Sequence, residues 1–144
     1  MDAFFSYDAH SAGTKGLVYI GDTILVWRRG DDTAFHPMQL DVPGGEPEGG
    51  ETPFETFQRT VNEQFGLKIS RDDIEYVRRY ESVLNPGMFG YFPVARLPKE
   101  QASHITFNDE GPEYILMPLN DYLDSEDAWP LFQQRGEDYA KSIS

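Results

Sequence analysis

Apolar positions along the chain follow two different rhythms. Lys15-Gly-Leu-Val-Tyr-Ile20 and Thr23-Ile-Leu-Val-Trp-Arg28 are continuous runs rich in β-branched and aromatic residues, and they flank Gly21-Asp22, a two-residue hairpin signal. From Phe54 the rhythm changes: Phe54, Phe57, Val61 and Phe65 recur at helical spacing and form one stripe. Thr52-x-x-Glu55 opens this helix as a capping box, Pro53 suits its first position and Gly66 its C-cap. Tyr76 to Leu84 and Gly90 to Leu97 read as two strands joined across Asn85-Pro86-Gly87. Pro93 predicts that the second is an edge strand or is bulged. Glu113 to Leu119 reads as a further strand, and Asn120 to Tyr139 as mainly helical with its continuity limited by Pro130. Strands around two helices without βαβ alternation predict an α+β domain.

The chain has 144 residues, of which 39% are hydrophobic, including ten Phe, eight Tyr and two Trp. That supports one domain over 1–144 and excludes global disorder. The first dozen residues read as a loosely held arm. With no cysteine, disulfides, thiolate metal sites and a cysteine nucleophile are excluded. No apolar run approaches the ~20 residues of a spanning helix, and Met1-Asp2-Ala3-Phe4 lacks a basic start. The expectation is a soluble, cytoplasmic protein without a membrane partner. Nothing in the sequence decides oligomeric state, and a homodimer stays open.

The formal charge of −13 is unevenly spread. Asp41 to Glu63 carries six acids against Arg59, Asn108 to Ser144 carries nine against Arg135 and Lys141, and the remainder is nearly neutral. Such a field repels nucleic-acid polymers unless cations intervene, which makes divalent metals the natural partners.

One acidic zone contains Asp41-Val-Pro-Gly-Gly-Glu-Pro-Glu-Gly-Gly50, too rich in Gly and Pro for regular structure, directly before the capped helix. A glycine-rich turn at a helix N-terminus brings backbone N–H groups to an anion. Here it also carries Glu48 and Glu51. Thr56, Thr60 and Glu63 share a helical face roughly opposite the Phe stripe, flanked by Arg59 and Gln64. Hard cations such as Mg²⁺ take oxygen ligands, commonly one or two carboxylates with water and substrate phosphate. Glu63 with Glu48 or Glu51 meets that minimum.

Gly45, Glu51, Arg59, Val61, Glu63, Gly66 and Leu67, at these spacings, resemble the Nudix box, Gly-x5-Glu-x7-Arg-Glu-U-x-Glu-Glu-x-Gly-U with U aliphatic. Val42-Pro43-Gly44 is similar to the family's entry to that loop. The resemblance implies an α/β/α sandwich around a mixed β-sheet. It also implies a Mg²⁺- or Mn²⁺-dependent hydrolase that cleaves a small nucleotide or related nucleoside diphosphate derivative by attack of metal-activated water on phosphorus. Carried over by position, Glu51 and Arg59 form a structural ion pair, and Glu63 is a metal ligand with a catalytic role. Gly44 and Gly45 are candidate substrate-binding residues whose loop amides orient the diphosphate, and Arg28 is a candidate for its phosphates.

Two departures stand beside the match. Thr60 and Gln64 occupy positions where the family pattern has Glu, so the helix offers one carboxylate in place of three. Glu48 and Glu110 are candidates to complete the metal site, and Glu110, Glu113 and Glu48, in that order, to act as base. Family members often place an additional glutamate in such a second acidic segment. His36 and His104 lack paired ligand spacing and read as ordinary histidines. Tyr80, Phe89, Tyr91 and Trp129 read as packing residues before base-stacking ones. The rival reading is a catalytically silent Nudix module that binds a nucleotide-like ligand or a protein.

Overall fold

The computed structural model describes residues 2–30, 38–108 and 111–144. Glu110 and His36 lie outside them. The strands are β1 (Ser11–Lys15), β2 (Leu17–Ile20), β3 (Thr23–Arg28), β4 (Leu40–Asp41), β5 (Gly44–Gly45), β6 (Ile74–Glu81), β7 (Phe89–Leu97) and β8 (Glu113–Met117), and the α-helices are α1 (Pro53–Phe65), α2 (Leu119–Asp124) and α3 (Pro130–Ser142).

The strands form one mixed sheet. β7 runs parallel to β1 and β2 on one side and antiparallel to β6 on the other. β3 pairs antiparallel with β2 across the expected Gly21-Asp22 turn, and also with β4 and β8. Both sheet faces are covered, which explains why the central strands read as continuous apolar runs and not as alternation. Val18, Ile20, Leu25 and Ala95 face α1 through Phe57, Val61 and Phe65. Leu17, Ile24, Val26 and Val94 face α2 and α3 through Tyr122, Phe132 and Tyr139. Each fully buried α1 side chain of this kind contributes about 1.5–3 kcal/mol. The expected α/β/α layering is therefore observed, with an N-cap box at Thr52, a left-handed C-cap at Gly66, and Pro130 at the start of α3.

Two expectations are corrected. Residues 2–11 are not a loose arm. A 3₁₀ turn over Asp2–Phe5 buries Phe4 completely, with its ring 5.8 Å from Phe54 and 6.0 Å from Tyr91, and Asp8 accepts hydrogen bonds from Tyr91 Oη (2.7 Å) and Arg79 Nη2 (3.1 Å). Two aromatic side chains supply enough apolar surface to hold the segment.

Pro93, expected on an edge strand or at a bulge, lies in β7, which is paired on both sides and so is not an edge, while its ladder with β6 shifts register close by, between Ile74 and Tyr76. Its backbone nitrogen and carbonyl face Gly16, the residue separating β1 from β2, where a Cβ would stand 2.0 Å from the Pro93 oxygen. The missing N–H thus falls at a gap in the neighbouring ladder, so no sheet hydrogen bond is lost.

No helix among the described residues is long and apolar enough to cross a membrane.

Candidate functional site

The antiparallel register Thr14↔Gly45 and Lys15↔Gly44 fixes the glycine-rich loop against β1, at the sheet end beside α1. The helix start satisfies its own donors: Thr52 Oγ1 accepts from Glu55 N (3.1 Å) and the Glu55 carboxylate from Thr52 N (2.9 Å). Glu55 is thereby a capping group, and it is Glu51 that joins loop to helix.

Arg59 is the hub of that junction. Its Nε lies 2.7 Å from Glu51 Oε2 and its Nη2 3.1 Å from Glu51 Oε1, a bidentate pair. Nη2 also donates to the Glu46 carbonyl (2.8 Å). Nη1 donates to Glu63 Oε1 at 2.9 Å and lies 3.6 Å from Glu48 Oε1. Hydrogen bonding from Arg59, partly opposed by burial, holds the Glu51 carboxyl below its ordinary pKa, with Glu48 N and the Thr56 hydroxyl adding to the effect. The same pairing raises Arg59. Both Glu51 oxygens are thus occupied. Glu48 and Glu63 remain exposed, on either side of one guanidinium nitrogen.

The two departures from the box are both built into the structure. Thr60, buried on α1, donates its hydroxyl to the Thr56 carbonyl (2.8 Å), and its methyl lies 2.9 Å from where a Cβ on Gly45 would stand. Gln64 Nε2 donates to the Gly44 carbonyl (3.0 Å), and Gln64 Oε1 accepts from Gly44 N (3.1 Å). Gly44 therefore commits both backbone groups to Gln64. It shapes the loop, and its N–H is not a donor for a ligand as the sequence suggested.

Among the described residues no three carboxylate or imidazole side chains converge on one point. The donor set fits a hard dication in its leanest form, Glu63 and Glu48, with the remaining positions left to water and substrate oxygens.

Other candidates have partners of their own. Arg28 Nε pairs with Glu113 Oε2 (2.9 Å), and its Nη1 donates to the Met38 carbonyl (3.0 Å) and approaches Asp127 Oδ2 (3.5 Å). Among the described residues neither Arg28 nor Glu113 pairs with Arg59, Glu48 or Glu63. Asn108 N, close in sequence to Glu110, donates to the Gln64 carbonyl at 2.9 Å. His104 is exposed and contacts Gln101 (3.3 Å), an ordinary surface histidine.

The structure brings forward Lys15 and Arg135, which the sequence reading missed, and Arg29, which it set behind Arg28. Lys15 and Arg29 both pair with the fully buried Asp41 and lie over the Trp129 ring. Arg135 lies within the buried face of α3, formed with Phe132, Gly136 and Tyr139. A cation at apolar-stripe spacing was the signal available for it. Lys15, Phe132 and Arg135 line a cleft of about 210 Å³ that also reaches Gly13, Gly45 and Glu46.

The NUDIX domain family's sequence profile matches residues 12–134. The chain belongs to this family. No functionally curated protein matches it significantly. Similar folds include the MutT protein from Methanosarcina mazei Go1 (18% identity, TM-score 0.73, 92% of this chain and 94% of that one) and a Nudix hydrolase, RenU, from M. smegmatis (16% identity, TM-score 0.72, 94% and 88%). A third is a bifunctional NMN adenylyltransferase/ADP ribose pyrophosphatase from Francisella tularensis, solved with AMP and a Mn ion (15% identity, TM-score 0.72, 96% of this chain and 43% of that one).

Proposed function

We propose that this member of the NUDIX family is a Mg²⁺- or Mn²⁺-dependent hydrolase that cleaves the diphosphate linkage of a small nucleotide or related compound, in a cytoplasmic setting. The observation that carries the reading is the placement of two exposed carboxylates, Glu63 and Glu48, on one nitrogen of Arg59, beside the loop that leads into the cleft.

Glu63 and Glu48 would hold the dication, which when bound supplies Lewis-acid polarisation of phosphoryl oxygens and lowers the pKa of water. Arg59 acts by position. It ties the Glu46 carbonyl, Glu51 and Glu63 into one rigid unit and offsets the mutual repulsion of the carboxylates. Gly45 keeps the loop close against Thr60, since any Cβ there would collide with the Thr60 methyl. Water attacks phosphorus, the bridging P–O bond breaks, and the leaving oxygen takes a proton. Glu110 is the first candidate for the carboxylate that accepts the proton of the attacking water.

A second reading is favoured by one specific observation. The Gln64–Gly44 pair puts a neutral amide where the family pattern has a carboxylate, which suits a module that binds a diphosphate compound without hydrolysing it. Release of phosphate or nucleotide from a panel of nucleoside triphosphates, sugar nucleotides and dinucleotides, with each metal, separates the two.

A further inference from the structure

The cleft beside the loop is lined by two cationic side chains, in a protein whose formal charge is −13. One is Lys15, which pairs with the buried Asp41. The other is Arg135. The residue is 7% exposed, its Nε has no hydrogen-bond partner, and among the described residues its guanidinium makes no hydrogen bond or ion pair. Its neighbours are rings: Tyr80, 4.4 Å from the guanidinium carbon, and Phe132, 5.6 Å away.

Asp138, the carboxylate whose charge acts on Arg135, is bonded to the Tyr80 hydroxyl (2.8 Å) and approached by Arg78 (3.5 Å), and it does not pair with Arg135. Burying a guanidinium without a counter-anion is unfavourable, and ring faces offset only part of that.

The position of Arg135 gives this unpaired charge a direction. It lines the cleft of about 210 Å³ with Gly90, Phe132, Trp129 and Leu84, and the same lining includes Gly13, Gly45 and Glu46 of the loop side. The Glu46 carbonyl is held by Arg59, so the cleft begins where the carboxylate group ends. Gly90 leaves space at the cation, a Cβ there standing 3.4 Å from Arg135 Nη1. The volume is below that of a pocket for a whole drug-sized ligand, so it takes one group of a larger compound. Arginine's planar fork suits an oxyanion with two acceptor oxygens.

We infer that this cleft is the specificity pocket for the part of the substrate beyond the diphosphate, and that Arg135 selects compounds in which that part carries its own oxyanion, a phosphomonoester or a carboxylate. The inference rests on the diphosphate reading above only in placing the diphosphate at the loop. It needs no hydrolysis. Phe132 and Trp129 supply the apolar wall for the carbon frame that bears the anion, and the Lys15 ammonium lies 5.7 Å from the Phe132 ring.

The test is equilibrium binding, followed by tryptophan fluorescence or calorimetry, of matched pairs that differ in one anionic group: NADPH against NADH for phosphate, and UDP-glucuronate against UDP-glucose for carboxylate. The proteins are wild type and Arg135→Met, each without metal and with Mg²⁺. Wild type is expected to bind the anion-bearing member of at least one pair about 10- to 100-fold tighter, and the pair that discriminates identifies the oxyanion. R135M is expected to remove the preference while its melting temperature stays equal or rises, because an unpaired buried cation has been replaced by an apolar chain of similar length. A purely structural arginine gives the opposite pattern, a lower melting temperature with the preference unchanged. Equal binding within both pairs by wild type, or a preference that survives in R135M, overturns the inference and leaves the hydrolase reading standing. Preference without turnover removes the hydrolase reading alone, and absence of binding to all four compounds overturns the inference while leaving the hydrolase reading to its own turnover panel.

Discussion

Gln64 and Gly44 exchange two hydrogen bonds, side-chain amide against peptide, and so clamp the glycine-rich loop to the last turn of α1. A glutamate at position 64 could accept from Gly44 N but could not donate to the Gly44 carbonyl, and its second oxygen would oppose that carbonyl. Gln64→Glu is therefore expected to cost about 1–3 kcal/mol in the absence of metal. It also adds a negative charge near Glu63. Thermal melts should show a lower melting temperature without metal and a larger upward shift on adding Mn²⁺ than wild type shows. An unchanged metal-free melting temperature would mean that the clamp carries no stability.

Glu51 and Arg59, 18% and 22% exposed, pair through two hydrogen bonds. Arg59→Ala should destabilise by about 2 kcal/mol in urea unfolding, and Arg59→Lys should recover little, since an ammonium cannot make the bidentate contact. The pH dependence follows from the lowered pKa of Glu51. Its contribution is complete above the ordinary carboxylate value near 4.5 and is lost as pH falls below that through the lower folded value. Glu51→Gln should flatten this part of the stability profile.

Gly45 and Thr60 are coupled by shape. A Cβ at Gly45 would lie 2.9 Å from the Thr60 methyl. Gly45→Ala should destabilise, and Thr60→Ser, which removes that methyl while keeping the hydroxyl bonded to the Thr56 carbonyl, should relieve the clash. The double-mutant cycle should give a favourable coupling of about 0.5–3 kcal/mol. Strict additivity would show that the contact is not felt.

Much of this organisation is encoded locally. The capping box at Thr52, the Gly66 C-cap, the Gly21-Asp22 turn and the Phe57, Val61 and Phe65 stripe each depend on residues within a few positions of one another, and each is observed. The Glu51–Arg59 pair, which the resemblance implied by position, forms between loop and helix, and Arg59 also contacts Glu63, which the sequence offered only as a metal ligand. What the sequence did not convey depends on distant partners. Phe4 is buried because Phe54 and Tyr91 meet it, and Pro93 is tolerated in a central strand because Gly16 interrupts the opposite ladder. Gln64 looked like a lost ligand until its pairing with Gly44, twenty residues away, was visible. Arg135 escaped notice because a lone arginine on a helix reads as solvated, whereas here strands β6 and β7 close over it.

Glu110, outside the described residues, is the sequence-based candidate for an added metal ligand and for the base. Glu110→Gln is expected to weaken Mn²⁺ binding and to lower turnover without a comparable change in substrate affinity. Titration of wild type and variant by isothermal calorimetry, with steady-state kinetics beside it, checks both. Identical metal affinity and turnover in the two proteins would assign the missing carboxylate elsewhere.

The central claim is that Glu63, held by Arg59, supports cleavage of a diphosphate. Its most direct test is the rate of phosphate or nucleotide release across the nucleoside triphosphate, sugar-nucleotide and dinucleotide panel, with Mg²⁺ and with Mn²⁺, for wild type, Glu63→Gln and Thr60→Glu/Gln64→Glu. Turnover by wild type that falls by two or more orders of magnitude in E63Q is the expected result. Silence of wild type on every compound, with turnover appearing in the double variant, would contradict it and identify a binding module whose catalytic site has lapsed.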